Sequence, residues 1–246
     1  MQGVVLVLVM ACLTATIIRE YVRNGTRRWF TEALPDPYEI GNWTEEQLDV
    51  GLYQLSRWDG FTQAQFRSFV EHQISPLGIS SNDTFRFMEI GVGVGAFARN
   101  VLKMFPLATG TGVDLERDVI AIAERVLPRE RMSLFVTDME NLFMAHEDEF
   151  DYVFVPGALC YQHSLTSVQS TLKHFTSILK PGGGICASML ASATSEMGSC
   201  NVRIPKEIWR TERLAGLRLK CFSLENMNDW NLPHSMGRYS VCCRKV

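Results

Sequence analysis

The sequence predicts an α/β fold: a mostly parallel sheet with helices on both faces and an antiparallel hairpin at one edge. Three observations predict it. After Pro76-Leu77-Gly78, short apolar runs alternate with stretches of helical period, the pattern of strands joined by crossover helices. A glycine-rich turn, Gly91-Val92-Gly93-Val94-Gly95, stands between one such run and one such stretch. The last two apolar runs are joined by a polar loop holding Asn226, Asn228, Asp229 and Asn231, with no helical stretch between them, so they should pair antiparallel.

The elements follow in order. Thr44 with Glu46 and Gln47 starts a helix, and Leu48, Leu52 and Leu55 recur on one face of Glu45–Ser56. A second helix spans Thr62–Ile74, with Phe66, Phe69 and Val70 on one side. Trp43, Tyr53, Trp58 and Phe61 cluster around this pair, which either packs on the main domain or closes over a cleft. Strands are expected at Phe85–Ile90, Thr109–Val113, Met132–Val136, Phe150–Val155 and Gly184–Leu190. Helices are expected at Ala96–Phe105, Arg117–Val126 and Leu165–Leu179. Leu217–Leu224 and Arg238–Arg244 form the edge hairpin.

Composition narrows the function classes. A chain of 246 residues, 46% hydrophobic and 21% charged, can bury a sizeable core and is neither disordered, collagenous nor a coiled coil. A net charge of -3, from 24 basic and 27 acidic residues, gives no basic excess for a polyanion, so no nucleic-acid partner is expected. Seven cysteines without a Cys-x-x-Cys pair indicate neither a zinc knuckle nor a disulfide framework, and no metal is expected. Cys242 and Cys243 are adjacent in a strand and should point to opposite faces. Buried free thiols are the expectation.

Gly3–Ile18 carries no charge and, as a helix, spans about 24 Å. A membrane anchor is expected, with a cleaved signal or a buried helix as alternatives. Arg19, Arg23, Arg27 and Arg28 follow it and place the domain on the cytosolic side. Three glycosylation-type triplets, Asn24-Gly25-Thr26, Asn42-Trp43-Thr44 and Asn82-Asp83-Thr84, point instead to a secretory-pathway lumen. The organisation expected is a hydrophobic segment at 1–25, a helical extension or lid at 26–80 and a main domain at 81–246.

The chemistry-bearing residues lie where expected strands end. The glycine turn lets backbone approach a ligand closely and aims the next helix N-terminus at it. Asp114, in Gly112-Val113-Asp114-Leu115-Glu116, closes the second strand, where a carboxylate can accept both hydroxyls of a ribose. Asp138, in Val136-Thr137-Asp138-Met139-Glu140, closes the third, where an acid can accept an adenine amine and Met139 offers an apolar contact. Capping of the next helix is the alternative role for both acids. Phe150-Asp151 opens the fourth strand, which ends on Pro156-Gly157-Ala158. Leu179-Lys180-Pro181-Gly182-Gly183-Gly184 reads as a helix end, a sharp turn and a strand start.

This ordered set resembles the Rossmann-like (class I) S-adenosylmethionine-dependent methyltransferases from about residue 84 to residue 246. The resemblance rests on Glu89-x-Gly91-x-Gly93-x-Gly95, Asp114, Asp138, Phe150-Asp151 and Leu179-Lys180-Pro181-Gly182-Gly183. It implies a seven-stranded sheet and S-adenosylmethionine as cofactor. Glu89 would lie near the cofactor's amino group, and Gly91, Gly93 and Gly95 would line its methionine part. Asp114, with Leu115 beside it, would hold the ribose, Asp138 the adenine amine, and Met139 the ring. Pro156 and Gly157 would border the methyl group. Leu159–His163 would begin the acceptor side, with Tyr161 and His163 as the candidates for proton transfer. A small molecule, a lipid or a protein side chain is the acceptor class expected, and an anchor at residues 3–18 would favour a membrane-associated one. A catalytically silent cofactor-binding scaffold and a nicotinamide-dependent oxidoreductase are the alternatives.

Overall fold

A computed structural model describes residues 37–55, 62–142, 145–190, 204–209, 215–227 and 238–246. A 3-10 turn, Pro37–Asn42, leads into α1 (Glu45–Leu55) and α2 (Gln63–Ile74). Both helices start on a threonine cap, Thr44 at the expected helix start and Thr62 just ahead of the second helix rather than inside it. Thr44 and Thr62 accept hydrogen bonds from the backbone N–H of Gln47 (3.2 Å) and Gln65 (3.3 Å). The two glutamine side chains reach back to the N–H of Thr44 (2.7 Å) and Thr62 (2.9 Å), so each threonine–glutamine pair satisfies donors that a helix start leaves open. Then follow β1 (Arg86–Ile90), α3 (Ala96–Met104), β2 (Thr109–Asp114), α4 (Arg117–Val126), β3 (Met132–Val136), β4 (Phe150–Pro156), α5 (Leu165–Ile178), β5 (Leu179–Leu190), β6 (Leu219–Asn226) and β7 (Arg238–Lys245).

The seven strands form one sheet in the order β3-β2-β1-β4-β5-β7-β6. β1 to β5 pair parallel, and β7 runs antiparallel to both β5 and β6. The chain builds outward from β1 to β3, then returns to lay β4 on the other side of β1. That reversal opens a crevice beyond the carboxyl ends of β1 and β4, the place where open α/β sheets bind ligands. The hairpin is as expected, but β7 inserts between β5 and β6, so the second strand of the hairpin is interior and the first forms the edge.

Each sheet face carries its own core. Phe87, Phe154, Cys186 and Cys242 face one side, with residues of α1 to α4. Met88, Val153, Val155, Ile185 and Cys243 face the other, with α5 and Ile208-Trp209. Burial on both faces explains why β4 reads as an unbroken apolar run rather than an alternating one. The aromatic helical pair packs into the first core: Trp43, Leu52, Phe66 and Phe69 are buried there. Trp58 and Phe61 lie outside the described residues.

Two expectations are refined. β5 begins at Leu179, paired with Phe150, and the ladder resumes at Gly184 opposite Tyr152. Lys180–Gly183 is therefore a bulge, not a separate turn, pinned by Lys180 Nζ at 2.9 Å from both carboxylate oxygens of Asp151. The described cysteines are not free thiols. Cys186 is bonded to Cys242 and Cys221 to Cys243. Each bond joins residues in register on neighbouring strands, and Cys160 is disulfide-bonded as well. Cys242 and Cys243 do point to opposite faces, so they fasten β7 to β5 on one face and to β6 on the other. Spacing along the chain could not show this, because strand register creates the pairs.

The expected single-pass membrane localisation is corrected. Among the described residues, no helix is long and apolar enough to cross a membrane. The Gly3–Ile18 segment and the Asn24 triplet lie outside the described residues.

Candidate functional site

The crevice is built on the turn after β1. Gly91 N–H and Val92 N–H both donate to Val113 O (2.9 and 3.0 Å), folding the turn over the end of β2. Gly91 has φ +72°, and a Cβ there would stand 2.8 Å from the Ala158 Cβ. Only glycine lets the β1 turn and the β4 turn meet this closely. Gly95, at φ +87°, is the residue from which α3 starts, so the helix N-terminus faces the crevice.

Asp114 ends β2, and both of its carboxylate oxygens are held by backbone. Oδ2 accepts from Gly93 N–H at 2.9 Å and Oδ1 from Glu116 N–H at 3.0 Å. The acid is thus oriented from the glycine turn on one side and from the start of α4 on the other, with lone pairs left over. Thr137 N–H donates to Asp114 O at 2.9 Å, which brings the end of β3 alongside. There Asp138 Oδ1 accepts from Glu140 N–H at 2.8 Å, and Met139 packs partly against the second core. Leu115 is 67% exposed and Val136 38% exposed. Together they leave apolar surface open beside two ordered acids.

Glu89 lies below the turn, 1% exposed, and its Oε2 has no hydrogen-bond partner. Burial pushes its carboxyl well above the usual carboxylate range. A hydrogen bond with the Ala98 backbone opposes that shift, and the nearby Asp114 charge adds to it. A buried acid with an open oxygen, at the floor of a crevice, is an acceptor waiting for a donor.

On the β4 side, Pro156 is buried and Gly157 takes φ +88°. Gly157 N–H lies 2.8 Å from Val155 O and 3.1 Å from Ser188 O. Tyr161 is half-buried and His163 exposed on the segment that leads into α5. The site residues singled out from the sequence lie at or just beyond the carboxyl ends of β1 to β4, and Leu115 and His163 are the exposed ones. Ser188, which the sequence does not single out, lies beside the end of β4. It stands in register with Pro156 at the end of β5, 1% exposed, with an unpartnered hydroxyl. A serine inside an apolar strand was the one signal available. Two hollows of about 270 and 340 Å³ lie elsewhere, along α5, around Lys173 and Ser177. Neither is lined by the glycine turn, Asp114 or Asp138.

A sheet of this order, with a glycine turn after β1 and acids closing β2 and β3, defines the class I methyltransferase fold. Residues 87–183 match the family model described as a methyltransferase domain. Among curated proteins, it is similar to a malonyl-[acyl-carrier protein] O-methyltransferase of Priestia megaterium. The two are 29% identical over 145 residues, covering 58% of this chain and 51% of that protein. The chain thus spans about half the length of the curated relatives it matches. Among solved structures, it is similar to the N-methyltransferase NodS of Bradyrhizobium japonicum in complex with S-adenosyl-L-homocysteine. The TM-score is 0.59 at 18% identity, over 77% of this chain and 90% of that one. It is also similar to the [4+2]-cyclase SpnF, with a TM-score of 0.56 at 15% identity over 77% and 83%. The fold is shared across different chemistries.

Proposed function

We propose that this chain binds S-adenosylmethionine in the crevice and transfers its methyl group to a small-molecule or carrier-linked acceptor. The observation that carries the reading is Asp114, fixed by Gly93 and Glu116 with lone pairs to spare. It stands next to exposed Leu115 and Val136 and to the open oxygen of Glu89. These residues fit the cofactor's parts. Asp114 takes the ribose hydroxyls, Asp138 the adenine amine, and Leu115, Val136 and Met139 cover the ring. The glycine turn takes the methionine part, and Glu89 its ammonium. When bound, the cofactor supplies an activated methyl carbon. The protein orients the acceptor in line with it and keeps water out. Pro156 and Gly157 border the methyl position in this reading. Tyr161 and His163 are the titratable groups on the segment after β4, and they take the acceptor's proton where one must leave.

The names of the curated relatives support a carboxyl oxygen on a carrier-linked acid as the acceptor to try first. The test has two parts. Calorimetric titration of the full chain with S-adenosyl-L-homocysteine should give one-to-one binding, and a folded chain that binds none refutes the reading. Labelled methyl transfer to malonyl-[acyl-carrier protein] then tests the acceptor. Cofactor binding without transfer to it would reject that acceptor and leave the cofactor site standing.

A further inference from the structure

We propose that Asn82 is the attachment site of an asparagine-linked glycan. The triplet Asn82-Asp83-Thr84 has the acceptor sequence, and the fold presents it. The turn between α2 and β1 is drawn tight by Ser80 N–H donating to Asp83 Oδ2 at 2.8 Å and by Asp83 N–H donating to Ser80 O at 3.0 Å. Asn82 sits at the outside of that turn. It and Thr84 are exposed, and the Asn82 carboxamide makes no hydrogen bond to a described residue. Of the triplet's side chains, that of the middle residue, Asp83, is the one the turn uses, while Asn82 contributes only its backbone N–H, 3.4 Å from Ser80 Oγ.

Its position is compatible with a working crevice. The turn feeds the amino end of β1, whereas Glu89 and the glycine turn lie at the carboxyl end. At about 3.3 Å per residue, the whole strand separates them. A glycan at Asn82 leaves the sheet from the end opposite the ligand.

The disulfides are a second, independent observation. All five described cysteines, Cys160, Cys186, Cys221, Cys242 and Cys243, are disulfide-bonded. Such bonds persist where thiols are not held reduced, and these are the surroundings in which asparagine glycans are attached. Asn42-Trp43-Thr44 presents the acceptor less openly. Asn42 is exposed, but Trp43 is buried in the core and the Thr44 hydroxyl caps α1.

In the transfer, Asn82 Nδ2 bonds to the anomeric carbon of a lipid-linked oligosaccharide diphosphate. The bond from that carbon to the diphosphate oxygen breaks, the lipid diphosphate leaves with the electron pair, and the amide gives up one proton. No oxidation is involved.

The experiment expresses the full chain in cultured animal cells and digests it with peptide-N-glycosidase in ¹⁸O water before peptide mass spectrometry. The expected result is an ¹⁸O-labelled aspartate at position 82, lost in both Asn82→Gln and Thr84→Ala. The second substitution keeps the asparagine and removes only the acceptor pattern. Thermal shift with S-adenosyl-L-homocysteine should be the same in all three chains, which separates a lost glycan from a lost fold. Recovery of the wild-type peptide without the label, or label persisting in Thr84→Ala, overturns the proposal.

Discussion

At the scale of single residues, charge and backbone conformation decide the outcome. In the proposed cofactor site, Asp114→Ala removes the acceptor for two ribose hydroxyls. Its expected cost is at least tenfold in S-adenosyl-L-homocysteine affinity, about 1.4 kcal/mol, by calorimetry; unchanged affinity would refute the ribose assignment. Gly91→Ala adds a Cβ 2.8 Å from Ala158 at φ +72°, a strain of about 1–3 kcal/mol. It should lower both Tm and cofactor affinity, and an unperturbed variant would show that the two turns need not meet. Glu89 gives a pH prediction. Its pKa in the fold lies well above the ordinary 4.5, so the folded state holds a proton that the unfolded chain has released. Stability therefore falls as pH rises from about 4.5 through the raised value, and Glu89→Gln should flatten that fall and raise the Tm near neutrality. In the proposed site the cofactor's ammonium meets Glu89 and favours the ionised acid, so binding should release a proton and tighten with rising pH in the wild type. Affinity that is flat between mildly acid and neutral pH would remove Glu89 from the site.

At the scale of elements, α2 is the clearest case of periodicity becoming packing. Phe66, Phe69 and Val70 have no exposed surface, and the Phe69 ring lies 6.2 Å from that of Phe97 on α3. Phe69→Ala should cost about 3–5 kcal/mol, read as a shift in the denaturant midpoint. Gln73, on the same helix, is the reverse case. Its side chain is fully buried, and neither amide atom has a partner. Gln73→Met keeps the shape and removes the orphaned groups, so a gain of about 1–3 kcal/mol is expected. A loss would mean that an ordered water satisfies the amide. These helices were legible because helical spacing and capping residues are local. The bulge at Lys180–Gly183 was not, since it depends on Asp151 on the neighbouring strand.

At the scale of the molecule, the edge of the sheet is held covalently. In the chain-entropy view, each cross-strand disulfide contributes about 2–4 kcal/mol. Cys186–Cys242 closes the longer stretch, 56 residues against 22 for Cys221–Cys243, so its loss should cost roughly 0.8 kcal/mol more. Full reduction should lower the Tm, and Cys186→Ala/Cys242→Ala should lower it more than Cys221→Ala/Cys243→Ala. Equal shifts would mean that local contacts, not loop closure, set the contribution.

The sequence by itself determined the alternation of strands and helices, the start of each main helix, the glycine turn and the acids that end β2 and β3. All of these arise from contacts within a few residues, where side-chain period and backbone freedom are written directly into the chain. The tertiary structure alone decided that β7 lies inside β6, which cysteines pair, that Ser188 stands beside Pro156, and that Glu89 is buried with an open oxygen. Each of these is set by register between strands far apart in sequence. A one-residue slip would exchange the faces of the sheet and undo all of them.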